Sequence, residues 1–184
     1  GLALPVAVTY PAQEGLLLDV EESGDTFSEN ARIKATAYAK SSGMLTLADD
    51  SGLEVDALGG APGVRSARYA GPGATDVDRY RKLLAALEGV SESQRSARFR
   101  CVIAIAPVQG PVLTAEGTCE GRIGLVPRGD HGFGYDPVFV VAGHGSQTMA
   151  ELDPATKNRI SHRARAVTAA APLLAQLVAA APAP

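Results

Sequence analysis

Apolar residues recur along this chain in two different periods, and those periods predict its elements. Phe27, Ala31, Ala35 and Tyr38 repeat at helical spacing behind the capping box Thr26-Phe27-Ser28-Glu29. A helix to about Lys40 follows, with Gly43 as the left-handed residue that stops it. Tyr80, Leu83, Leu84 and Leu87 form a second stripe, opened by a Thr75-to-Asp78 cap and ended by Gly89. Phe99 to Ala106 starts in alternation and finishes almost wholly apolar, as a central strand does. Leu45 to Ala48 reads as a buried strand that ends at Asp49 and Asp50, before a Ser-Gly turn. Val112–Ala115 and Gly121–Val126 read as two strands separated by the polar run Glu116–Glu120. Val6–Tyr10 reads as an early strand, and Gly15–Val20 as an extended piece leading to Glu21 and Glu22. The tail from Arg163 to Ala181 reads as helix, kinked or broken at Pro172. Strands mixed with helices, without strict alternation, indicate an α/β or α+β sheet protein.

Totals narrow the function. With 184 residues, 46% of them hydrophobic, the chain fits one domain over 1–184, enough for a real core. A net charge of −3 argues against a grip on polymeric nucleic acid but not against a small nucleotide whose phosphates a metal neutralises. The two cysteines, Cys101 and Cys119, have no CxxC spacing and read as small thiols. No apolar run reaches the roughly eighteen residues a membrane helix needs, and the start has no basic signal-peptide region. A cytoplasmic protein is expected.

Three stretches carry candidate chemistry. Asp49 and Asp50 are adjacent carboxylates at the end of a predicted strand, where open α/β sheets keep their ligands. They repel unless a cation intervenes, and Mg²⁺ suits such oxygen donors; a plain strand-ending turn is the alternative. In Gly132-Phe133-Gly134-Tyr135-Asp136 an aromatic sits between glycines, either as a platform for a flat ligand or as a plug in the core. Asp136 can accept from a ring N–H. Ser161 is placed to cap the last helix, putting His162 and Arg163 in its first turn. There the helix dipole disfavours cations, so an electron-rich ligand in front of them, or simple solvation, would account for both. Asn30 reads as a packing or capping residue and Lys34 as solvated. The chain has no GxxxxGK[ST] loop, kinase signature or G-x-S-x-G element.

TFSENARIKA, ADDSGLEVDALGGAPGVRSARYAG, GFGYDPVF and KNRISHRARA, in that order, closely resemble the inosine triphosphate pyrophosphatase family. The resemblance runs from about Glu21 to Ala166. It implies an elongated mixed β-sheet flanked by helices, two lobes with a cleft between them, Mg²⁺ dependence and a homodimer. It also implies hydrolysis of dITP, ITP and XTP to the monophosphate and pyrophosphate. By motif position, Asp50 would be general base and metal ligand, with Asp49 beside it and Glu21 or Glu22 as the second metal-binding acid. Ser51 would touch substrate, and Phe133, Gly134, Tyr135 and Asp136 would hold base and sugar. Lys157, His162 and Arg163 would complete the pocket, His162 and Arg163 donating to the carbonyl at purine position 6. Family members open with a strand and a T/S-x-N-x-x-K loop that are not found in this sequence, so an N-terminal segment is expected to be missing. The alternatives are a non-catalytic or degenerate nucleotide-binding protein, a pyrophosphatase for other modified nucleotides, and a purely structural protein.

Overall fold

The computed structural model describes residues 6–180. The elements run α1 (Phe27–Ser42), β1 (Thr46–Val55), α2 (Asp76–Ala86), β2 (Ser96–Ala106), β3 (Leu113–Ile123), β4 (Phe139–Val141), α3 (Pro154–Ile160) and α4 (His162–Ala180). This is the expected α/β class. The strands form one sheet in the order β1-β2-β3-β4. β3 and β4 are antiparallel, with Gly121 opposite Val141 and Ile123 opposite Phe139. Ion pairs show the direction of β1 against β2: Glu54 meets Arg100 at 3.0 Å and Asp56 meets Arg98 at 2.9 Å. One partner advances along the chain as the other retreats, which is antiparallel pairing.

The chain divides into two compact units, one made of residues up to 50, 102–116 and from 166 on, the other of 51–101 and 117–165. In the first, the α1 capping box forms as expected and Gly43 takes φ 68° at its end. Phe27, Asn30, Ala31, Ala35 and Ala39 make its buried face, while Tyr38 is half-buried and donates to the Leu18 carbonyl at 3.3 Å. Ser161, in the second unit, caps α4, its hydroxyl accepting the Ala164 N–H at 3.2 Å. Pro172 lies inside α4, which continues beyond it to Ala180; Ala181 is outside the described residues.

The second unit is built around Leu53, Val55, Leu83, Leu87, Phe99, Ile123, Val138 and Phe139. Leu83 and Leu87 are fully buried, as the α2 stripe predicts, although the helix ends at Ala86, before Gly89. Arg95, also buried, crosses behind that end. Its guanidinium donates to the carbonyls of Leu87 (2.8 Å), Val90 (3.0 Å) and Gly124 (3.2 Å).

Four expectations are corrected. β1 does not stop at the aspartates; it passes through them to Val55. Its lead is not buried either, since Leu47 is 47% exposed and the core residues are Leu53 and Val55. β1 lies at one margin of the described sheet, where burial of both faces is not required. Glu116–Glu120 is not a gap between strands but the middle of β3, with Glu116 and Glu120 exposed while Gly117 and Cys119 are buried. A period-two pattern with acids on one face looks polar by composition alone. Finally, Val6–Tyr10 is exposed throughout and forms no strand, and Gly15–Val20 joins no ladder.

Candidate functional site

In the first unit, three charged groups from three segments converge. Lys34, on α1, places its Nζ 2.7 Å from Glu22 Oε1 and 3.0 Å from Asp50 Oδ1. Asn30, one turn earlier, directs its Nδ2 at Asp50 Oδ2 (3.4 Å) while its Oδ1 accepts the Gly24 N–H at 2.8 Å. That second bond pins the segment bearing Glu22 to the start of α1, where a Cβ on Gly24 would fall 2.8 Å from the Asn30 oxygen. Of the packing or capping role expected of Asn30, packing is what the structure shows: the residue is fully buried, and Thr26 and Glu29 make the helix cap. Lys34 is not the solvated residue expected: its side chain is 21% exposed and its ammonium is shared by two carboxylates. No local periodicity could show that, because the partners lie 12 and 16 positions away.

The electrostatics follow from one cation serving two anions. Burial alone would pull Lys34 below the usual lysine value, but the bonds to Glu22 and Asp50 outweigh it and hold the ammonium above that value. Burial pushes Asp50 above the ordinary carboxylate value; Lys34 pulls it back and the charge of Glu22 pushes it up again. The cation is over-compensated and the anions under-compensated. Of the remaining acids proposed as metal ligands, Glu21 is exposed and borders a hollow lined by Leu18, Ile33, Ala37 and Lys40. Asp49 is exposed and alternates in the strand with the half-buried Asp50. Successive strand side chains point to opposite faces, so the supposed repulsion between these neighbours does not arise. Among the described residues no three acids, histidines or cysteines group as a metal cage.

The second unit holds a different cluster. Phe133 is 57% exposed, so it is no core plug. Lys157 Nζ lies 5.0 Å and Arg163 Cζ 5.3 Å from its ring centre, both within cation–π range. Asp136 is almost completely buried and takes the Lys157 ammonium at 2.5 Å and the Phe133 N–H at 3.0 Å. Gly132 is required here: it takes φ 95°, and a Cβ would sit 2.2 Å from Asp136 Oδ2 and 2.6 Å from Lys157 Nζ. Lys157 and Arg159 occupy the last turn of α3, where the helix dipole favours cations.

Two further residues are placed otherwise than expected. Tyr135 is a core residue whose hydroxyl donates to the Ser66 carbonyl at 2.8 Å, and burial drives its ionisation far above the ordinary value. The His162 ring is buried and stacks on Phe99 at 4.9 Å and 19°, so of the two residues opening α4 it is the exposed Arg163 that accompanies Phe133. Ser51 lies half-buried on β1. Sequence reasoning missed Asp76, at the start of α2, whose Oδ2 accepts the Gly134 N–H at 2.7 Å. Its only local signal was an acid in a first helical turn, a common place for one.

A family model described as the Ham1 family matches residues 5–173. The chain is 56% identical over 159 residues to a dITP/XTP pyrophosphatase of Desulforamulus reducens, covering 86% of this chain and 79% of that one. It is 48% identical over 163 residues to a dITP/XTP pyrophosphatase of Bacillus subtilis, covering 89% and 82%. Among solved structures, a HAM1 protein from Coxiella burnetii superposes with a TM-score of 0.88 at 47% identity, covering 95% of this chain and 88% of that one. The Staphylococcus aureus Ham1 protein gives 0.80 at 43% identity, covering 88% and 81%.

Proposed function

The chain belongs to the Ham1 family, and from that premise we propose that it is a hydrolase of non-standard purine nucleoside triphosphates. Its substrates would be ITP, dITP, XTP and dXTP, and its products the monophosphate and pyrophosphate. The observation that carries this reading is that the matched span, 5–173, includes both clusters, one suited to phosphate chemistry and one to a flat ring.

The exposed Phe133 face would stack on the purine, with Asp136 and Lys157 holding the ring's backbone in place. Arg163 would donate to the carbonyl at position 6. Adenine presents an amino group there, and two donors face to face leave both unpaired. A polar site rejects a mismatched analogue by about 10⁴-fold on this ground. Glu22 and Asp50 fit Mg²⁺ by their chemistry: two carboxylate oxygens that already converge on one cation, with the other positions left to phosphates and water, which is how Mg²⁺ is commonly bound. When bound, it would supply charge neutralisation at the phosphate oxygens. The Asp50 carboxylate would take the proton from the attacking water, oriented by Asn30. A cytoplasmic homodimer, which the resemblance implies, completes the proposal; no described helix is long and apolar enough to cross a membrane.

The test is pyrophosphate release from ITP, dITP, XTP, GTP, ATP and dUTP, with Mg²⁺ and with chelator. Release from the first three in Mg²⁺ alone is expected, with Asp50→Asn inactive but folded by circular dichroism. Near-normal turnover in that variant would refute the role of Asp50; binding of ITP without release would refute the enzyme.

A further inference from the structure

Given the purine-stacking role proposed for Phe133, we infer that Asp76 is a positioning residue that fixes this aromatic platform and thereby sets affinity and base selectivity. The loop's own bonds fix only part of the platform. Gly132 and Gly134 flank Phe133 at φ 95° and 63°, and the ring is mostly exposed, so neither secondary structure nor core packing holds it. Within the loop the Phe133 carbonyl accepts the Asp136 N–H at 3.2 Å, and two amides are held by carboxylates. Asp136 accepts the Phe133 N–H from within the loop, and Asp76 accepts the Gly134 N–H from 58 positions away.

Asp76 is a rigid point from which to do so. Arg79, one turn along α2, bonds its other carboxylate oxygen and also donates to the Ala74 carbonyl at 2.9 Å, which fixes the rotamer. The helix is in turn anchored through buried Leu83 and Leu87. An acid at a helix start is stabilising in several rotamers. The one present aims Oδ2 at a peptide of the platform. Asp76 does not cap the helix, because Thr75 and Asp78 form the capping box. Removing it therefore loosens the loop without removing the cap.

Asp76→Ala and Asp76→Asn are compared with wild type for ITP and ATP turnover, for amide hydrogen exchange across 132–136, and for thermal unfolding. A charge-assisted bond lost from a platform that grips ground and transition states alike raises KM and leaves kcat alone. For Asp76→Ala we expect KM for ITP up about tenfold, kcat within about twofold, and the ITP-over-ATP preference reduced. Exchange at Gly134 should quicken about tenfold or more with the melting temperature little changed. Asp76→Asn keeps an acceptor oxygen and should recover most of the KM. Unchanged KM and exchange in Asp76→Ala overturn the inference, as does a fall in melting temperature that Asp76→Asn does not reverse. If wild type releases no pyrophosphate from ITP, the proposed function fails, while the exchange result still decides what Asp76 does.

Discussion

Replacing Lys157 by Met should cost far more stability than a surface lysine does. Most exposed ion pairs contribute less than about 1 kcal/mol, because water screens both partners and the side chains lose entropy in pairing. This pair is different: the side chain of Asp136 is 5% exposed and that of Lys157 20%. In Lys157→Met the carboxylate stays buried with one strong donor left, the Phe133 N–H. Removing one partner of a buried pair costs about 3–5 kcal/mol, and the partial exposure of Lys157 points to the lower end, about 3 kcal/mol. With a urea slope of about 2 kcal/mol per molar, the midpoint should fall by about 1.5 M. The control is Asp136→Asn/Lys157→Met, in which the amide oxygen still accepts the Phe133 N–H and no charge is buried. That double variant should be more stable than Lys157→Met alone. Equilibrium urea unfolding of the four proteins closes the cycle. A loss below about 1 kcal/mol in the single variant would refute the argument, as would a double variant less stable than the single one.

Arg95→Met should lower stability by about 3 kcal/mol, since three carbonyls, those of Leu87, Val90 and Gly124, lose a charged donor at once. Urea unfolding measures it, and a loss under 1 kcal/mol would show that the clamp is dispensable. Stability should also fall in alkali. Tyr135, Cys119 and Lys34 all hold their protons more tightly folded than unfolded, the first two through burial and Lys34 because its carboxylate partners outweigh burial. Their ordinary values are 10.0, 9.0 and 10.5, so above about pH 9 the unfolded chain releases protons the folded one keeps, and stability drops as pH rises. A urea midpoint that stays level from pH 7 to 11 contradicts this.

Elements with a local signal were legible from the sequence. Thr26 and Glu29 cap α1 through contacts three residues apart, Gly43 ends it, and Ser161 caps α4. The stripe Leu83–Leu87 faces the core because helical spacing fixes one face. What was not legible depends on partners far along the chain. Lys34 looked solvated because nothing near it in sequence is acidic on its own helical face; Glu22 and Asp50 reach it from other segments. Asp76 looked like an ordinary first-turn acid because its target is Gly134. Between Glu21 and Glu22 the sequence could not choose; in the structure it is Glu22 that shares Lys34 with Asp50. The strand errors have another origin. Glu116–Glu120 was judged by polarity instead of by alternation, and Asp49-Asp50 by its turn-like residues although the backbone carries on through them to Val55.

The two clusters solve one problem, how to keep a carboxylate away from water, with opposite results. At Asp136 one anion meets one ammonium and one amide N–H, and a Cβ at Gly132 would overlap both charged groups, so the arrangement is full. The Asp136 charge is met there, and what the cluster offers outward is the Phe133 ring with the Arg163 guanidinium beside it. At Glu22 and Asp50 one ammonium serves two anions, leaving a net charge of −1 and an Asp50 that burial disfavours as an anion. A divalent cation would relieve that imbalance, and a triphosphate arriving with it would offset the excess positive charge. This difference in balance supports placing the proposed Mg²⁺ with Glu22 and Asp50, and the proposed base contact with Phe133. The same count governs Lys34→Met: with the ammonium gone, two uncompensated carboxylates should bind a divalent cation more tightly without nucleotide.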